Sequence, residues 1–383
     1  MKTFLRALRA RDREMTRLLG RFVECESPSA DKAAVDRMGR IVAGEWRRRG
    51  AKVRIMRQSR AGNHVRAEIS FAGARPAGQI LVLGHLDTVY PLGTLREMPF
   101  RLAGGKAWGP GTFDMKAGLV LALFAVDALR AAAVHPQKWL VFLWTSDEEA
   151  GSATSRREIE REARRSDAVL VLEPSLGREG RLKTERKGVG TAEIIVHGKA
   201  AHAGIDPSAG VNAVHELALQ IARLMKLRLL NDPRRGVTLQ ATVVAGGTVS
   251  NVIPAQARAQ IDIRYACFSD GRKIDRLLRG LRPVLRGARI EVHGGINRPP
   301  LERTPAIREL FLRAQSLARE MGCSLHEAST GGGSDGNFTA ALGMPTLDGL
   351  GAVGDGAHSP YEHVIVRSLP ERAALLAGLL ASL

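Results

Sequence analysis

The chain has 383 residues, 44% of them apolar and 25% charged, enough for a full core and for two domains. Its formal net charge of +18 makes anionic ligands and nucleic acid the partners to weigh, but the 46 Arg and 11 Lys lie in helix-face runs such as WRRRG (46–50) and RREIEREARR (156–165) with no interleaved aromatics, a pattern of solvated faces that argues against a nucleic-acid surface. Cys25, Cys267 and Cys323 are odd in number and far apart, which argues against both a disulfide framework and a thiolate zinc site.

The opening MKTFLRALRARDREMTRLL spreads arginines through its length and lacks an uninterrupted apolar stretch, so it does not read as a secretory signal. Helical patterns follow at about 9–24, 31–49, 115–133 and 153–165, alternating with apolar strands at 52–58, 64–70, 79–84, 139–145 and 168–173. That alternation predicts an α/β fold with a central mixed sheet flanked by helices. The most apolar window, 117–134, is broken by Asp127 and Arg130 and reads as a buried helix, not a membrane span. A cytoplasmic protein with no membrane attachment is expected.

From residue 188 the pattern changes to strand TAEIIVHG, helix GVNAVHELALQIARLM, strand VTLQATVVAGG, strand QARAQIDIRYA, helix SDGRKIDRLLRGLRPVL (269–285) and strand ARIEVHGG. This βαββαβ order is that of a ferredoxin-like unit. After Pro299–Pro300 the α/β character resumes with a helix at 305–321, the loop TGGGSDGN, a strand near 345–349 and a final helix. The expected organisation is a discontinuous first domain, 1–186 and 298–383, with a second domain, 187–297, inserted into it.

Several apolar strands or glycine-rich turns end in potential metal ligands: His85 and Asp87 in GHLDTV, Asp114 in GPGTFDMKAG, Glu148 and Glu149 in TSDEEAG, Glu173 in LEPS and His358 in GAHSPYEHV. An unpaired charge is costly in such surroundings, and α/β sheets gather their sites beyond the carboxyl ends of strands. Imidazoles and carboxylates without thiolates suit a catalytic zinc site. The carboxylate excess accommodates two cations, with Asp114 as bridge, His85 and Glu173 on one ion, and Glu149 and His358 on the other.

Taken in order, HLDTV, GPGTFDMKAG, DEEAG, LEPS, GKAAHAGIDPSAGVNA, TVSNVIPA, DIRY, NRPP, TGGGSDG and GAHSPYEHV resemble the dinuclear-zinc exopeptidase and deacylase family typified by bacterial glutamate carboxypeptidase, whose relatives include acetylornithine deacetylase and succinyl-diaminopimelate desuccinylase. The resemblance spans nearly the whole chain. It implies a zinc-peptidase-like catalytic domain, an inserted lid and dimerisation domain, and the same five ligands. It further implies Glu148 as general base, Asp87 orienting His85 through the second ring nitrogen, and a cis Asp114–Met115 peptide. His202 resembles the histidine that reaches across a dimer to stabilise an oxyanion.

Arg298, Arg264 and Asn251 match family positions that face the substrate, and the loop around Gly332 is expected to offer backbone N–H donors. Glutamate at position 173 is the variant associated with carboxypeptidases and deacylases. The implied activity is hydrolysis of an amide bond by a water activated by two Zn2+, releasing an acidic C-terminal amino acid from a small peptide or N-acyl conjugate. The alternative is an N-acyl-amino-acid deacylase of the acetylornithine or succinyl-diaminopimelate type. Co2+ and Mn2+ accept the same ligands. Met115–Lys116 departs from the further acid often carried there by the glutamate carboxypeptidase type.

Overall fold

The computed structural model describes residues 1–71, 76–227 and 233–383. The chain forms two compact units, one of Met1–Glu185, Arg303–Ser329 and Ser334–Leu383, the other of Arg186–Glu302 and Thr330–Gly333.

The first unit is built on a six-stranded sheet in the order Lys52–Met56, His64–Ile69, Trp139–Thr145, Gln79–His85, Ala168–Val171, Thr346–Leu347. The first two strands are antiparallel to their neighbours, and the other four run parallel. Gln79–His85 is buried at every position. Ile80 and Val82 join a cluster with helix Ala117–Ala131, while Leu81 and Leu83 join Ile159, Ala163 and Phe338. Burial on both faces explains why this strand reads as a continuous apolar run. Ala117–Ala131 packs against Ser368–Ser382 and, as its two charges foretold, is a core helix; among the described residues no helix is long and apolar enough to cross a membrane.

Two features escaped the sequence pattern. The helix expected over about 9–24 covers Asp12–Val23, and a separate helix, Lys2–Arg9, precedes it and buries Phe4, Leu5 and Leu8. A small antiparallel sheet joins Arg101–Ala103, Lys106–Trp108, His363–Ile365 and Gly354–Asp355, strands too short to show a two-residue period.

The second unit has the ferredoxin-like order expected. Its sheet runs Thr238–Gly246, Gln256–Tyr265, Gly188–His197, Arg289–Arg298, antiparallel throughout. Helices Ala213–Met225 and Phe268–Arg279 contribute Leu217, Ile274 and Leu278 to one cluster with Ile194, Ile261 and Ile263 from the sheet. The edge strand Thr238–Gly246 is exposed along most of its length, Val243 and Val244 included.

The helix expected over 269–285 stops at Arg279, because Gly280 follows it and Pro283 lacks the N–H a continuing helix needs. Beyond the stop, the N–H groups of Val284 and Leu285 donate to the buried Glu216 carboxylate at 3.0 and 2.6 Å. Burial opposes Glu216 ionisation, but the donors from Leu285, Gln220 and Val284 outweigh it and hold its pKa below the usual 4.5. A depressed carboxyl stabilises the fold above its unfolded-state value and loses that contribution as pH falls through the folded value. Glu216→Gln is therefore expected to cost about 1–3 kcal/mol at neutral pH. In a pH series of thermal denaturation, the gap from the parent protein should narrow below pH 4.5; a gap independent of pH would contradict the assignment.

Candidate metal centre

Three parallel strands deliver an imidazole and acids to one edge of the first unit's sheet. His85 ends Gln79–His85, Glu148 and Glu149 follow Trp139–Thr145, and Glu173 follows Ala168–Val171. Asp114 comes from the turn Thr112–Lys116, whose Asp114–Met115 peptide is cis as the family resemblance implied. His358 sits between Gly354–Asp355 and His363–Ile365 with φ +61°. Met115 packs beneath His85, its Sδ 3.2 Å from the His85 backbone nitrogen. Gly84 makes room for it, since a Cβ there would lie 2.5 Å from Met115 Cε. Lys116 turns away and donates to the Cys25 carbonyl at 2.9 Å.

The five expected ligands and Glu148 converge. The two oxygens of Asp114 face opposite histidines: Oδ1 lies 3.1 Å from His85 Nε2, and Oδ2 lies 3.3 Å from His358 Nε2. Glu173 Oε1 is 3.4 Å from the first imidazole, and Glu149 Oε1 is 3.1 Å from the second. Glu148 groups with His85 and Glu173, each offering a ligand atom within 4.8 Å of the others.

Burial disfavours a charged His85, yet Asp114, Asp87 and Glu173 outweigh it and hold its pKa well above 6.5. Asp114 and Glu149 push His358 up to about 10. Burial would raise Asp114, but His358 and His85 pull it below the usual carboxylate range, while burial pushes Glu149 up. These acids demand positive charge. The donor set fits divalent cations, because two ligands about 2.0–2.1 Å from a tetrahedral zinc lie roughly 3.3 Å apart, which matches the separations around Asp114.

The orientation of His85 is set from both parts of Asp87. Its Nδ1 lies 3.0 Å from the Asp87 carbonyl oxygen and 3.5 Å from Oδ1 of the side chain, so the carbonyl makes the shorter contact. The Asp87 carboxylate accepts instead from the N–H groups of Glu148 and Glu149, at 3.3 and 3.2 Å, and from Ser29 Oγ at 2.6 Å. Asp87 thereby fastens the loop carrying Glu148. Ser29 carries no signal in the sequence, since serines flanking a proline in ECESPSA read only as a turn.

The remaining expected residues lie in the second unit. His202 is exposed, and its Nδ1 accepts from the N–H groups of Gly204 and Ile205 at 3.2 and 3.1 Å. Two donors on Nδ1 place the proton of the neutral ring on Nε2. Asn251 neighbours it, its carbonyl accepting from Ala203 N at 2.9 Å. Arg264 is engaged by Asp262 through two bonds of 3.0 and 2.8 Å, the geometry of a carboxylate fork. Arg298 is buried at the end of Arg289–Arg298. At Gly332 the carbonyl is engaged, accepting from Arg186 Nη1 at 3.2 Å.

Residues 81–382 match the model of peptidase family M20/M25/M40. The chain is 31% identical over 371 residues to carboxypeptidase G2 of Pseudomonas sp. (strain RS-16), covering 95% of this chain and 88% of that protein. It is 27% identical over 317 residues to succinyl-diaminopimelate desuccinylase of Variovorax paradoxus, covering 78% of this chain and 80% of that one. In fold it is similar to the aminopeptidase PepT of Bacillus cereus, with a TM-score of 0.76 and 21% identity over 97% of this chain and 98% of that chain.

Proposed function

Because the chain belongs to peptidase family M20/M25/M40, we propose that it is a metal-dependent hydrolase that cleaves an amide bond and releases an acidic C-terminal amino acid from a small peptide or N-acyl conjugate. The observation that carries this reading is Asp114, whose two oxygens are divided between His85 and His358 with Glu148 alongside.

Two divalent cations, Zn2+ with Co2+ or Mn2+ as substitutes, would be held by His85 and Glu173, by Glu149 and His358, and by Asp114 between them. When bound, such cations supply Lewis acidity that polarises an amide carbonyl and makes water acidic. Glu148 takes the proton from the attacking water and hands it to the leaving amine. Asp87 holds Glu148 through its backbone N–H, which limits the loop's freedom during both transfers. His202, with its proton on Nε2, is suited to donate to the tetrahedral oxyanion.

In this reading His202 acts across a homodimer formed through the inserted domain, for which the exposed edge strand Thr238–Gly246 offers unpaired backbone groups. Arg298 is the group proposed for the substrate carboxylate, with Asn251 and the Gly332 loop as further proposed substrate contacts; Arg264, engaged by Asp262, has the weaker case. The net charge of +18 favours an anionic substrate. The free Cys25, Cys267 and Cys323 fit a cytoplasmic setting.

Steady-state kinetics on a panel of γ-glutamyl and folate-type conjugates, acetylornithine and succinyl-diaminopimelate tests the substrate class. We expect kcat/KM for conjugates ending in glutamate to exceed the rest by about tenfold or more. Preference for a succinyl or acetyl amino acid would select the deacylase reading, which the similarity to the desuccinylase favours.

A further inference from the structure

We infer that Glu362 is a positioning residue of the metal centre, a buried carboxylate that ties together the three segments bearing His85, Asp114 and His358. The inference rests on reading Asp114 and His358 as metal ligands.

Glu362 is fully buried, and among the described residues its side-chain carboxylate accepts from four neutral donors. Oε1 accepts from the N–H groups of Phe113 and Asp114 at 2.7 and 2.9 Å. Oε2 accepts from Gly111 N–H at 3.0 Å and from the Tyr90 hydroxyl at 2.6 Å. These four groups surround both oxygens, so the carboxylate is anchored on each side by the segments it joins.

Each partner belongs to a ligand-bearing segment. Tyr90 follows His85 and Asp87 in the same loop, and its hydroxyl also lies 3.0 Å from the Ser359 carbonyl beside His358. Gly111, Phe113 and Asp114 form the turn that aims the Asp114 side chain. Gly111 has φ +70°, and a Cβ there would lie 2.6 Å from Thr88 Cγ2, so the turn has little freedom to find another path. Glu362 itself closes the loop of His358. One carboxylate therefore fixes the backbone of Asp114 relative to both imidazoles, without reaching a cation itself. Glutamine is a poor substitute, because its NH2 would face at least one backbone N–H donor whichever way the amide is turned. Aspartate would leave the donors unreached.

The test is the Zn2+ affinity of metal-free protein, measured by competition with a chromophoric chelator, with thermal melting of the same metal-free samples as the control for folding. Glu362→Gln is expected to weaken binding by about 10- to 100-fold, the scale for losing a group that orients a ligand. Tyr90→Phe removes one donor and should weaken it roughly 2- to 10-fold. Parental affinity in a folded Glu362→Gln protein would overturn the inference. Should that variant fail to fold, Tyr90→Phe decides: weaker binding in a protein that melts like the parent supports the clamp, and unchanged binding overturns it. Asp114→Asn separates the two levels. If it keeps parental affinity, the metal-centre reading fails; if it alone loses affinity, only the role of Glu362 fails.

Discussion

Replacing Glu148 with glutamine is expected to lower kcat by about 10²- to 10⁴-fold while leaving metal content and fold unchanged, the scale of a lost general base. Glutamine keeps the side-chain volume but cannot take a proton from water. The loop stays in place because the contact to Asp87 uses the backbone N–H of residue 148, not its side chain. A change in kcat with little change in KM would show that the lost interaction belongs to the transition state. The experiment also separates two roles that geometry brings close. Glu148 offers a ligand atom within 4.8 Å of those of His85 and Glu173. Were it a ligand, Glu148→Gln would lose metal as well as turnover, and elemental analysis of the purified variant would reveal it. Parental kcat in the variant would refute the proposed mechanism outright.

Removing the metals should abolish turnover entirely and lower the melting temperature, with both restored by Zn2+. The physical reason is charge. Asp114, Glu149 and Glu173 converge with His85 and His358 in a partly buried site, where a divalent cation would offset their negative charge. A cation that binds the folded chain and not the unfolded one stabilises it by about 2.7 kcal/mol at a concentration of 100 Kd. Chelation followed by activity and differential scanning calorimetry checks both effects. Turnover that survives complete chelation, verified by metal analysis, would exclude the hydrolytic mechanism proposed above.

How much of this was legible in the sequence depended on what kind of partner each residue has. His85, Glu149 and Glu173 were legible because each follows an apolar strand, and parallel pairing of Gln79–His85 with Trp139–Thr145 and Ala168–Val171 forces those strand ends together. Asp114 and His358 were legible from their glycine-rich surroundings and from the motif order. Glu362 was not, although it sits in the same GAHSPYEHV motif as His358, because its partners Gly111, Phe113 and Asp114 are met through backbone N–H groups that no residue pattern encodes. Ser29 was hidden for the same kind of reason, as its value lies in reaching Asp87.

Boundaries followed local chemistry less faithfully than element types did. The helix after Phe268 ended early at Gly280, and the short strands around Trp108 and His363 were too brief to announce themselves. In the second unit, Arg264, which the family resemblance sets among substrate-facing positions, pairs with Asp262, two residues earlier on the same strand face.

Anomalous diffraction at the zinc absorption edge, from crystals of the parent protein grown with Zn2+, addresses the whole arrangement at once. The expected map has two peaks flanking Asp114, one bounded by His85 and Glu173 and the other by Glu149 and His358. A map with no peak among these side chains, or with zinc bound only elsewhere on the chain, would contradict the metal centre and the hydrolase built on it.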